Sequence, residues 1–68
     1  MPLKIRELKA ALLKAGFTRR PAKGSHSHWV HPDIPGTDVT LAGKDGSDAQ
    51  HYQIKQVQAA LKKAGKTL

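Results

Sequence analysis

The ends of this chain have helical patterning, and its middle cannot. Between the two ends, Pro21, Gly24, Pro32, Pro35, Gly36, Gly43 and Gly46 interrupt every stretch before it completes two helical turns. Proline removes a backbone donor and glycine weakens a helix, so the pieces between them are left to be short strands and turns. Before this region, over residues 4–15, Ile5, Leu8, Leu12 and Ala15 recur at helical spacing with Leu13 beside them. Lys4, Arg6, Glu7 and Lys14 cover the other sides. Pro2 suits a first helical turn, and Gly16 stands where a left-handed C-cap is expected. After it, over about 49–64, Ile54, Val57 and Leu61 make one helical face, extended by Ala60 and Ala64. Ser47 or Asp48 is the expected N-cap of this second helix, and Gly65 its C-terminal cap. Lys62, Lys63 and Lys66 crowd its C-terminal end, where cations complement the dipole.

Three strands are expected in between. Phe17–Arg20 is the first, with Phe17 as core anchor, Arg19 on its face by parity, and Arg20 exposed with Thr18. Pro21–Ser25 is a turn, and His26–His31 a strand that stops at Pro32. Asp33–Thr37 is a turn around the type II signal Pro35-Gly36. Asp38–Ala42 alternates around Val39 and Leu41 as a third strand, and 43–48 is a polar loop. The predicted fold is α+β, in the order α-β-β-β-α, one domain over 1–68. A three-stranded antiparallel sheet carries both helices on one face, and its other face is open.

Sixty-eight residues allow one small domain of marginal stability. There is no cysteine for a disulfide or a thiolate metal site, and no apolar run long enough for a signal peptide or membrane span. A soluble, cytoplasmic protein is expected. Twelve Lys and Arg against five acids give a formal charge of +7. On so small a domain this favours a polyanionic partner, nucleic acid first, bound in a salt-sensitive way. A merely solvated basic surface and an acidic protein partner fit the same charge. Walker, GxGxxG and Gly-x-Ser-x-Gly motifs and Cys/His zinc-finger spacings are absent, which sets those enzyme classes aside.

The chemistry concentrates in Lys23-Gly24-Ser25-His26-Ser27-His28-Trp29-Val30-His31-Pro32, which holds three of the four histidines and the only Trp. Pleat parity puts His26, His28 and Val30 on one face and Ser27, Trp29 and His31 on the other. Trp29 should take the buried face, having the most area to remove from water. Four readings of His26 then stand open. It can be a general acid or base, because imidazole titrates near neutrality and an RNA 2′-hydroxyl can attack the adjacent phosphate without a metal. It can belong to a metal site with His28, although two ligands are too few and only Asp33 or Asp38 could add a third. It can contact nucleic acid without chemistry, or it can be an idle surface residue. His28 reads as a supporting or surface group, His31 as a hydrogen bonder at the strand end, and His51 as exposed.

Several of these residues together carry a resemblance. Arg6-Glu7-Leu8, Leu12, Lys14-Ala15-Gly16-Phe17, Arg20, Lys23-Gly24-Ser25-His26, Trp29, His31-Pro32, Val39-Thr40-Leu41 and Leu61-Lys62-Lys63-Ala64-Gly65 fall in register with a known pattern. The sequence resembles the HicA-type mRNA interferase toxins of bacterial toxin–antitoxin pairs. That resemblance implies a fold like the double-stranded RNA-binding domain and a ribonuclease acting on mRNA through one histidine. The family's histidine follows Gly-Ser, so it maps to His26 rather than His28. A HicB-type antitoxin that covers the site is implied as partner, with no metal or organic cofactor and no membrane. One segment departs from the pattern. Where the family usually has Pro-x-His and then Lys-Glu, this chain has Ala42-Gly43-Lys44-Asp45-Gly46-Ser47, with Lys44-Asp45 at the charged pair and the Pro and His missing.

The leading expectation is a toxin endoribonuclease. In it His26 is the acid or base, Gly24-Ser25 shapes its turn, and Arg19, Arg20, Lys23, Lys44 and His28 contact RNA. The alternatives are a non-catalytic RNA-binding module of the same fold, gripping A-form backbone by shape, and a domain that only binds an acidic protein.

Overall fold

The computed structural model describes residues 3–68, so Pro2 and its expected place in the first helical turn lie outside the described residues. The order is α1 (Ile5–Lys14), β1 (Thr18–Arg20), β2 (Ser27–Val30), β3 (Val39–Leu41) and α2 (His51–Lys63). The strands form one antiparallel sheet in the order β1-β2-β3. Among the described residues, no helix is long and apolar enough to cross a membrane.

The helical spacing of α1 buries Ile5, Leu8 and Leu12, with Ala15 just beyond the helix. The helix ends as a Schellman turn. The Gly16 N–H donates to the Leu13 carbonyl at 3.1 Å and the Phe17 N–H to the Leu12 carbonyl at 3.0 Å. Glycine is required at position 16 on two counts. Its φ is +95°, and a Cβ there would stand 3.1 Å from Nε2 of His31. Phe17 is buried as the expected anchor but lies before β1, which begins at Thr18.

Pleat parity holds in β2. Ser27 and Trp29 are buried against the helices, while His28 and Val30 are half-buried on the other face. The strand begins one residue later than expected, because the His26 N–H donates to the Lys23 carbonyl at 3.1 Å and so closes a turn instead of joining the ladder. The pairing register sets Arg19 beside Trp29 on the covered side, as parity required. Arg19 is nevertheless exposed, since β1 is a three-residue edge strand. In β3, Val39 and Leu41 point into the core and Thr40 outward. The core closes over Trp29, which is 1% exposed. Its indole N–H donates to Ser27 Oγ at 2.9 Å, so a buried hydroxyl and a buried indole satisfy each other.

The second helix buries Val57, Ala60 and Leu61, with Ile54 at its edge, and also Gln53. Gln53 is held at both ends of its amide. Its Nε2 donates to the Ala42 carbonyl at 2.9 Å and its Oε1 accepts the Gln50 N–H at 2.7 Å. The expected cap is therefore corrected: Gln50 is the N-cap residue, and neither Ser47 nor Asp48 serves α2. That loop turns to the other helix. The Ile5 N–H donates to the Ser47 carbonyl at 2.9 Å and the Arg6 N–H to the Asp45 carbonyl at 3.1 Å, satisfying donors that the first turn of α1 leaves unpaired. A bridge between Lys4 and Asp48, in backbone and side chain, fastens the same junction.

Candidate functional site

Antiparallel order brings three chain ends together: the last residue of β1, the first of β2 and the last of β3 lie at one end of the sheet. Arg20 occupies the first of these, Lys23–His26 leads into the second, and Lys44 lies three residues past the third. Arg20, Lys23, Gly24, Ser25, His26 and Lys44 are all exposed, and Arg19 lies one step further along β1. Among the described residues none of Arg19, Arg20, Lys23 and Lys44 forms an ion pair, so this end of the sheet offers uncommitted cations to a polyanion.

The histidine turn is held by its own backbone. Gly24 takes φ +60° at the first central position, and nothing lies within 4 Å of where a Cβ would stand. Glycine thus serves this turn by its left-handed freedom alone. The Lys23 carbonyl receives the His26 N–H and also faces the His26 ring, with Nδ1 at 3.2 Å. A carbonyl only accepts, so Nδ1 carries the proton in this contact. In the neutral ring Nε2 then keeps its lone pair, and it makes no hydrogen bond among the described residues. An exposed imidazole with Nδ1 on a backbone carbonyl and Nε2 open is equipped to take a proton from a bound hydroxyl.

The other histidines differ from it. His28 stands on the open face in register with Arg20 and Thr40, and its Nε2 is 3.1 Å from Oδ2 of Asp38. Asp38 reaches it as the diagonal neighbour across β2 and β3. His31 is structural, as expected for a strand-end hydrogen bonder. Its Nε2 meets the Ala15 carbonyl at 3.1 Å, its Nδ1 accepts the Asp33 N–H at 3.1 Å, and its ring packs edge-on against Phe17. It ties the end of β2 to the end of α1. His51 is exposed at the first residue of α2. Among the described residues no three His, Cys, Asp or Glu side chains come together as a metal-binding group.

The loop that replaces the expected Pro-x-His segment carries one perturbed carboxylate. Lys9 Nζ donates to Asp45 Oδ1 at 2.6 Å, and this bond with the ammonium charge holds the carboxyl below the usual range. Desolvation opposes this, and Arg19 and then Arg6 add weaker attraction. A carboxylate favoured in the fold stabilises it above the ordinary carboxylate pKa of about 3.9, and that contribution is lost as pH falls through the lower folded value. Asp45→Asn should therefore lower the urea midpoint at pH 6, and the deficit should shrink as pH falls below the ordinary carboxylate range. A deficit that stays constant as pH is lowered would contradict this role. Sequence reading missed the Asp45–Lys9 pair and offered Asp38 beside His28 only as a possible metal ligand, since each pair joins residues that the fold brings together.

Comparison with curated protein sequences gave no match. The family described as the HicA toxin of bacterial toxin–antitoxin systems matches residues 5–66, from the first residue of α1 to beyond the cap of α2. That match spans nearly all of the α-β-β-β-α frame and the whole histidine turn, and on it the chain belongs to the HicA toxin family.

Proposed function

We propose that this toxin is a metal-independent endoribonuclease that cleaves mRNA, with His26 as its catalytic histidine and a HicB-type antitoxin as its inhibitor. The observation that carries the reading is the open Nε2 of His26, on a turn whose carbonyl fixes the ring, beside unpaired cations at one end of the sheet. RNA supplies its own nucleophile, so the protein need only move protons and stabilise charge. His26 Nε2 takes the proton of a 2′-hydroxyl as that oxygen attacks the adjacent phosphorus. Arg20, Lys23 and Lys44 contact the phosphate, with Arg19 and His28 as further RNA contacts, and Gly24-Ser25 sets the turn that presents the imidazole. An antitoxin that covers this end would silence the enzyme by excluding RNA.

The test is expression in a bacterial host with and without the neighbouring gene, paired with incubation of the purified chain and mixed mRNA in a chelator. Growth arrest relieved by the neighbour, and cleaved mRNA, are expected. Harmless expression with salt-sensitive RNA binding and no cleavage would overturn the nuclease reading in favour of a binding module.

A further inference from the structure

We infer that His28, oriented by Asp38, is the general acid of this site, protonating the leaving oxygen while His26 acts as base. The inference rests on the nuclease reading above. Three observations carry it. His26 lies two residues before His28, in the turn that leads into β2, so the chain holds their Cα atoms within about 7 Å of each other. In-line displacement at phosphorus puts the attacking and leaving oxygens on opposite sides, so two proton-transfer groups on one phosphate must be separated. Each then reaches its oxygen over a hydrogen bond of about 2.6–3.2 Å.

The second observation is the pairing of His28 Nε2 with Asp38 Oδ2 at 3.1 Å. A carboxylate accepts only, so Nε2 carries a proton in this contact, and Nδ1 is the ring nitrogen left to carry the proton given to substrate. His26 has the opposite arrangement, with its protonated Nδ1 committed to Lys23 and Nε2 open. The two rings are therefore prepared for opposite roles. The third observation is Arg20, the direct cross-strand partner of His28 and exposed on the same open face. A phosphate held by its guanidinium comes within reach of the His28 ring.

The step balances. His26 Nε2 removes the 2′-hydroxyl proton, the 2′-oxygen bonds to phosphorus, and the bond from phosphorus to the 5′-oxygen breaks. That oxygen takes the proton from His28 Nδ1. The products are a 2′,3′-cyclic phosphate and a 5′-hydroxyl, with His26 protonated and His28 neutral until solvent exchange resets both. His28 is a catalytic residue in this scheme, and Asp38 is a positioning residue acting through it.

The experiment compares a normal RNA with one whose scissile 5′-oxygen is replaced by sulfur, a leaving group that departs without protonation. On the oxygen substrate, His28→Ala should be slower by about 10²–10⁴-fold and Asp38→Asn by a smaller factor. On the sulfur substrate both variants should cleave within a few-fold of wild type, while His26→Ala remains slow on both. His28→Ala at wild-type rate on the oxygen substrate, or equally impaired on both, overturns the assignment and leaves the nuclease reading standing. A wild-type chain inert on both substrates overturns the nuclease reading, and this inference with it.

Discussion

His26→Ala should lower mRNA cleavage by about 10²–10⁴-fold, the usual contribution of a positioned acid or base, with no loss of fold. The side chain is exposed, so its removal opens no cavity. The backbone bond from the His26 N–H to the Lys23 carbonyl, which closes the turn, survives in alanine. Only the weaker ring contact to that carbonyl is lost. Loss of activity with an unchanged circular dichroism spectrum and melting temperature is therefore expected. Single-turnover cleavage of mixed mRNA in a chelator is the measurement. Equal cleavage by variant and wild type would remove His26 from the mechanism.

Trp29→Ala should largely unfold the domain. Truncating a buried Trp costs about 3–5 kcal/mol. A chain of this length has about 3–10 kcal/mol in total, at 0.05–0.15 kcal/mol per residue. The indole also occupies Ser27 Oγ, which is 0% exposed, so its removal strands a buried hydroxyl at a further cost of about 1–3 kcal/mol. Urea titration followed by circular dichroism should show a midpoint near zero denaturant. Trp29→Phe with Ser27→Ala, which removes both partners of the bond, should retain a cooperative transition. A Trp29→Ala midpoint within a few tenths molar of wild type would show that the core does not depend on this ring.

What could be read from the sequence was what is local. The spacing of Ile5, Leu8 and Leu12 and the stop at Gly16 are written within a few turns of helix, and α1 follows them. Trp29 found the buried face because pleat parity and apolar area agree over four residues. The errors were at contacts made across the fold. Ser47 and Asp48 have the composition of a cap for the helix after them, yet the backbone of their loop serves α1. Gln53 was not among the expected core positions, and the Ala42 carbonyl beside it explains its burial. His26 was placed in the strand because parity says nothing about which donor a neighbouring turn will claim. At the site, local pattern left several readings of His26 open, and the family resemblance pointed to it; the structure puts it on an exposed turn among basic residues. The Asp38 partner of His28 depends on strand register, which no local pattern states.

The capping of α1 by the β3–α2 loop orders events in time. The junction joins Lys4 to Asp48, 44 positions apart. Closing so long a segment costs chain entropy before any contact rewards it. A nascent chain that has grown only as far as Leu41 lacks the carbonyls that receive the Ile5 and Arg6 N–H groups. Its first helix lacks these two N-terminal bonds, although every residue of that helix and of the histidine turn has already been made. Completion of the fold waits for the loop, so an incomplete translation product ending before it carries the whole histidine turn without the finished scaffold to hold it.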